Sequence, residues 1–165
     1  MLPHARDMFG LLNRAFEELF SVVPFDEALM DFYTNKYISM LNPKFIKLVY
    51  DRDNKLAGFI IGVPSLSRAM QKARGSLAPF GWYHIMQALR NPKEADLFLT
   101  AVEPQYQGGG LTAILIFELQ QSLLEQGVYE VETTGMLESN QKAIQNWKNF
   151  EHEQHKRKRC YRLMF

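Results

Sequence analysis

Leu97-Phe98-Leu99-Thr100-Ala101-Val102 is followed by Glu103-Pro104-Gln105-Tyr106, then by Gln107-Gly108-Gly109-Gly110, and then by a run in which Leu111, Leu115, Leu119 and Leu123 recur at four-residue spacing. The first segment reads as a buried strand, the second breaks it, and the last is an apolar helix opened by glycines. A helix start leaves backbone N–H groups without partners and turns the positive end of its dipole outward, while glycines let a diphosphate approach the main chain closely. The stretch therefore predicts a phosphate cradle over Gln107, Gly108, Gly109, Gly110 and Leu111. The plain alternative is a glycine turn that only joins a strand to a packed helix.

The spacing around the glycines is more specific. Val102-x-Pro104 followed by Gln107-x-x-Gly110-x-Thr112 resembles the acyl-CoA signature of the GNAT superfamily of N-acetyltransferases, Gln/Arg-x-x-Gly-x-Gly/Ala after a strand ending Val-x-Pro. Thr112 departs from that pattern, which prefers Gly or Ala, although its hydroxyl can donate to a phosphate oxygen. A second block, Asn140-x-x-Ala143-x-x-x-Trp147, resembles the Asn-x-x-Ala-x-x-x-Tyr helix that follows the family's next strand. The resemblance implies an α/β fold of GNAT type, a central mixed sheet flanked by helices, with acetyl-CoA or a related acyl-CoA as cosubstrate. Gln107 to Thr112 would hold the diphosphate, with Asn140 and Trp147 beside the cofactor. The signature strand and the next one would splay, so that the pantetheine arm meets the main chain of Thr100, Ala101 and Val102 rather than their side chains.

The chain of 165 residues fits one domain, with a core large enough to fold alone. Its formal net charge of +1 offers no global attraction for nucleic acid, and no such partner is expected. Cys160 is the sole cysteine, which excludes an intramolecular disulfide and a multi-cysteine zinc site. Met1 to Phe9 lacks a signal-like apolar core, and no apolar run approaches the ~20 residues of a membrane helix, so a cytoplasmic protein without a membrane span is expected.

Upstream, Phe9, Leu12, Phe16, Leu19 and Phe20 place a helix over about Ala5 to Phe20. Asp26 is positioned to cap a second helix with Leu29, Phe32, Tyr33, Tyr37 and Leu41 on its apolar side, ended by Asn42-Pro43. Ile46 to Tyr50, the turn Asp51-Arg52-Asp53-Asn54 and Leu56 to Val63 read as a hairpin, its second arm apolar on both faces and hence central in the sheet. Downstream, Val128 to Thr134 reads as a strand, Asn140 to Phe150 as a helix, and His155 to Phe165 as a final strand. This order matches the family except at its start. A GNAT domain begins with a strand, and here a helix begins almost at Met1. The missing first strand would leave the Ile46 edge unpaired and predicts a homodimer. The wider sequence resembles the C-terminal half of longer bacterial GNAT-like proteins.

Residues 64–95 form an insertion where the family has a short turn. Ser65 or Ser67 can cap a short helix through Lys72, and Pro79 to Leu89 reads as another. With Phe80, Trp82, Tyr83 and His84 the insertion holds the densest aromatic cluster in the chain. It is expected to be an acceptor-side lid, against the alternative that the aromatics pack it onto the core.

Acyl transfer to an amine needs a base for the ammonium proton, donors for the thioester oxygen and an acid for the departing thiolate. Counting from the signature, Asp96 stands where protein-modifying members of the family carry a catalytic glutamate. That position makes it the candidate base, with Glu132 on the next strand in reserve. Each is alternatively an ordinary strand carboxylate. Trp147 replaces the tyrosine that the family uses as acid, and an indole N–H does not donate a proton comparably. Tyr106 and Tyr129 qualify by type alone, and Cys160 reads as a small apolar residue rather than an acyl-accepting nucleophile. His152 and His155 lack the spacing of a zinc helix, so no metal is expected. Lys156 to Arg159 either meet an anion such as the CoA 3′-phosphate or form a charged terminal strand. The sequence thus points to an N-acetyltransferase acting on a small-molecule or peptide amine. The alternative is a degenerate domain that binds acyl-CoA, or another protein, without catalysis.

Overall fold

The strand that is apolar on both faces takes the interior of the sheet. The computed structural model describes residues 2–19, 22–37, 41–159, 161 and 163. In chain order its elements are Leu2–Phe16 (α1), Glu27–Lys36 (α2), Ile46–Tyr50 (β1), Leu56–Pro64 (β2), Ser67–Lys72 (α3), Gly81–Arg90 (α4), Glu94–Val102 (β3), Leu111–Glu125 (α5), Glu130–Thr133 (β4) and Gln141–Gln145 (α6). The sheet order is β1-β2-β3-β4, with β1, β2 and β3 mutually antiparallel in turn and β4 parallel to β3. β2 is buried without interruption from Leu56 to Gly62, as a strand covered on both faces must be.

Alternate side chains of β2 serve two cores. Phe59 and Ile61 meet Ala5, Met8, Leu11 and Leu12 of α1, together with Ala101 of β3. Ile60 meets Leu115, Leu119 and Leu123 of α5 beside Ala95, Leu97 and Val102 of β3. The leucines spaced four apart are thus the buried stripe of α5, and each fully buried one contributes about 1.5–3 kcal/mol over its exposed state.

Several local expectations are corrected. α1 starts earlier and stops at Phe16; Phe20 lies outside the described residues. Asp26 does cap α2, accepting from Leu29 N at 2.8 Å, yet Leu29, Phe32, Tyr33 and Tyr37 are exposed. Tyr33 and the preceding Phe25 rest on Phe9, Met30 packs on the α1 core, and Asp31 pairs with Arg6. Neither serine caps α3: Ser67 is its first residue, and Leu66 stands at the cap without a side-chain bond. The expected terminal strand is not formed at residues 151–159, 161 or 163, and Cys160 lies outside the described residues. Its run of exposed cations has no apolar face to bury against a neighbour, so strand pairing there gains little. Likewise, only the first turns of the expected 140–150 helix form, as α6.

Candidate active site

The two parallel strands part halfway along. β3 pairs with β4 only from Glu94↔Glu130 to Leu97↔Thr133; Thr134 N donates to Leu97 O at 3.2 Å as the last backbone link, and the Thr134 hydroxyl reaches Phe98 O at 3.5 Å. Its pairing with β2 continues to Val102↔Gly58. At the point of parting, the β2 register steps from Ile61↔Leu99 to Gly62↔Leu97, which leaves Phe98 unmatched. A bulge of this kind bends a strand and re-aims the groups beyond it. Glu103 N donates to Ala57 O across the β2 side. By strand alternation the main-chain groups of Ala101 face β2, and those of Thr100 and Val102 face the gap. The side chains of Ala101 and Val102 are buried in the two cores, so only backbone is presented there.

Beyond Val102 the chain turns through Pro104–Tyr106 into the glycines. Gly108 and Gly110 have φ of +79° and +86°, conformations that only glycine adopts at little cost. A Cβ built on either would meet no protein atom within 4 Å. Ile114 N makes the first intrahelical bond of α5, to Gly110 O at 3.1 Å. The N–H groups of Leu111, Thr112 and Ala113 are therefore left pointing out of the helix start, at the positive end of a 15-residue helix. Gln107 fastens the turn, donating from Nε2 to Val102 O at 3.1 Å. The open gap and the cradle are consecutive along one strand and its following helix, a shape that suits an extended ligand ending in a diphosphate.

At the other end of β3, Asp96 and Glu132 are register partners on adjacent strands, with Val63 on the far side of Asp96. Val63 packs on the α1 core, so all three side chains share that face. Asp96 Oδ1 is buried and has no hydrogen-bond partner among the described residues. Glu132 differs. Lys156 Nζ donates to its Oε1 at 2.5 Å, with His155 Nε2 3.5 Å away, and this holds its carboxyl below the ordinary glutamate value. Its stabilising contribution is therefore present above the unfolded-state pKa and disappears as pH falls through the depressed folded one. Lys156→Met is expected to return the Glu132 titration upward toward the ordinary value, read by carboxyl NMR; an unmoved titration would show that the ion pair does not form.

Residues 5–151 match the model of the Acetyltransferase (GNAT) family. The chain belongs to that family. It is 26% identical over 158 residues to Protein YghO of Escherichia coli (strain K12), covering 92% of this chain and 40% of that protein. The chain thus spans well under half the length of that relative. Among solved structures it is similar to the ribosomal-protein-S18-alanine N-acetyltransferase from Escherichia coli, with a TM-score of 0.57, 19% identity, and 90% and 71% of the two chains covered. It is also similar to AAC(6')-Iy in complex with the bisubstrate analog CoA-S-monomethyl-acetylneamine, with a TM-score of 0.58, 14% identity, and 99% and 93% covered.

Within this GNAT domain the second sequence block is placed less simply than the first. Asn140 is the N-cap of α6, its Oδ1 accepting from Ala143 N at 3.1 Å. The carboxamide oxygen is thereby occupied within its own helix. Trp147 is half-buried on the α5 core, its ring 5.5 Å from Phe150. The motif also missed a cation: Lys142 Nζ lies 3.4 Å from Gln107 Oε1, beside the cradle. Only its position two residues after Asn140 could have marked it. Of the tyrosines, Tyr129 is exposed. Tyr106 donates its proton to Asp51 Oδ2 at 3.3 Å, and burial first, then the Asp51 charge, raises its pKa, which makes it a poorer acid. That pair lines a cleft of about 570 Å³ together with Arg6, Arg14, Tyr50, Lys55 and others on the α1 side. Of the residues singled out in the sequence as candidate acids it includes Tyr106, but it includes neither Gly108 to Gly110 nor Asp96. Among the described residues no group of three or more His, Cys, Asp or Glu could hold a metal, and no helix is long and apolar enough to cross a membrane.

Proposed function

We propose that this domain transfers the acetyl group of acetyl-CoA to a primary amine of a small molecule or peptide. The observation that carries the reading is the arrangement along β3: a glycine turn and helix start at one end, a bulged backbone open on its β4 side in the middle, and, at the other, a buried carboxylate oxygen without a partner among the described residues. Gln107, Gly108, Gly109, Gly110, Leu111 and Thr112 hold the diphosphate, joined by Lys142. The main chain of Thr100 and Val102 pairs with the pantetheine arm, while that of Ala101 is taken by β2, and Asn140 and Trp147 border the arm. The amine nitrogen attacks the thioester carbon, the new N–C bond forms as C–S breaks, and Asp96 takes the ammonium proton. Backbone N–H groups freed at the bulge serve as donors for the developing oxyanion. Trp147 supplies no proton, so the thiolate is protonated from water. The insertion, residues 64–95, borders the acceptor end: Ser65 N donates to Glu94 O, and Arg68 pairs with Glu94.

The acceptor we propose is an amine of the kinds that similar structures are named for, an aminoglycoside or an alanine of a ribosomal protein. Incubation of the chain with acetyl-CoA and a panel of such amines, read by product mass, tests this; thiol release without an acetylated amine would count against it. The half-buried packing of Trp147 favours a second reading, a module that binds acyl-CoA without turnover. It predicts binding with no thiol released.

β1 has a strand neighbour on one side only among the described residues. Its outer row of unpaired backbone groups is the proposed seam of a homodimer. Sedimentation is expected to show dimers at micromolar concentration, with Leu48→Pro dissociating them. A monomer whose Ile46 to Tyr50 amides exchange slowly would overturn the dimer.

A further inference from the structure

We propose that the outer face of the insertion docks on an anionic lipid bilayer. The proposal is independent of acetyl transfer and concerns where the domain sits. α4 is turned the opposite way from an ordinary surface helix. Gly81 is buried, and His84, Ile85 and Ala88 are half-buried, whereas Trp82, Tyr83, Met86 and Leu89 are exposed, Trp82 by 56%. At about 100° per residue those four outward positions fall on one continuous side of the helix. The loop before α4 extends the surface with Leu77 and with Phe80, which is 71% exposed, and α3 adds Met70.

The charge on this surface has one sign. From Pro64 to Lys93 there is not one of the 18 carboxylates of the chain, but there are five of its 19 cations. Arg68 is engaged by Glu94 and Glu130. Lys72, Arg74, Arg90 and Lys93 have no ion-pair partner among the described residues. Lys72 and Arg74 line a cleft of about 280 Å³ with Ser76, Phe80 and His84, which places two cations and a ring edge around a space suited to a lipid phosphate.

This combination selects a bilayer over other anionic partners. Protein interfaces surround their apolar centre with a rim of mixed charge; here the segment itself supplies only cations, and the neighbouring Glu94 and Glu130 are engaged by Arg68. Single-stranded nucleic acid is held by aromatic platforms, but Met70, Leu77, Met86 and Leu89 make up much of this face and offer bases nothing to stack on. Exposed tryptophan, tyrosine and leucine beside unpaired cations suit the headgroup boundary, where ring and aliphatic bodies enter the acyl region and cations meet phosphates. With 10 residues, α4 is far short of the ~20 needed to span, so it lies in the interface.

Flotation of the intact chain with vesicles of phosphatidylcholine, alone or mixed with phosphatidylglycerol, tests the proposal. The chain is expected to float with the mixed vesicles, to stay behind with phosphatidylcholine alone, and to be released by salt. Lys72→Glu/Arg74→Glu and Met86→Asp/Leu89→Asp should each weaken flotation by more than about tenfold. All four side chains are exposed, so melting curves of both variants should match the parent's cooperativity. No flotation of the parent with mixed vesicles would overturn the proposal, as would equal flotation with both compositions or flotation unaltered in either variant. A dimer that Met86→Asp/Leu89→Asp dissociates, without any flotation, would assign the face to a second copy instead.

Discussion

Asp96→Asn is expected to slow acetyl transfer at neutral pH by about 10²–10⁴-fold while leaving acetyl-CoA binding unchanged. Asparagine keeps the size of the side chain and one oxygen but cannot take a proton from an ammonium group. The position favours a large effect. Asp96 Oδ1 is buried with no hydrogen-bond partner among the described residues, and a buried carboxylate oxygen left without a bond is costly enough to call for a role. Glu132 is its register neighbour, but that carboxylate is already committed to Lys156. Glu132→Gln should therefore cost far less than Asp96→Asn. Rates that fall in Glu132→Gln and hold in Asp96→Asn would reverse the assignment, and a parallel loss of binding in Asp96→Asn would indicate a structural role.

Acetyl-CoA should raise the melting temperature, and Gly110→Val should abolish that response. At a hundredfold excess over Kd, linkage gives about 2.7 kcal/mol, on the order of 5–10 °C for a domain of this size. A Cβ at Gly110 would meet no protein atom within 4 Å, so a valine side chain there would extend into the space proposed for the diphosphate. It would also strain a backbone with φ +86°. Gly127→Val controls for this, because Gly127 has φ +75° and equally open surroundings at the far end of α5. Both variants should melt lower than the parent, and only Gly127→Val should still respond to acetyl-CoA. An undiminished response in Gly110→Val would misplace the cradle.

The fold was legible where one segment determines its own geometry. Leu115, Leu119 and Leu123 announce the buried stripe of α5 by spacing alone, Leu56 to Gly62 announces the central strand by having no polar face, and Asp26 caps the helix after it. What failed depended on partners. Periodicity put Leu29, Phe32 and Tyr33 on one side of α2 but could not say whether anything covers that side. The basic run from His155 to Arg159 has no apolar face to bury, and Tyr161 and Leu163 beyond it are exposed. At the site, the spacing of Gln107, Gly110 and Thr112 carried over as a turn and helix start. By contrast, the meeting of Asp96 with Glu132 rests on the register of two strands separated by a whole helix, and that of Lys142 with Gln107 on the path of the chain after β4. Neither separation leaves a local trace. The parting of β3 from β4 was expected from the family; the bulge at Phe98 that accompanies it is visible only in the pairing.

The central claim is that an acyl-CoA lies in the gap beside β3 with its diphosphate on the start of α5. Titration of acetyl-CoA into labelled protein, followed by backbone amide NMR, tests it most directly. The account predicts that the amides of Leu99 to Val102 and of Gly108 to Ala113 shift together and saturate at one affinity. Shifts confined to Arg6, Arg14, Asn54 and Lys55 around the larger cleft, or no shifts at all, would contradict it.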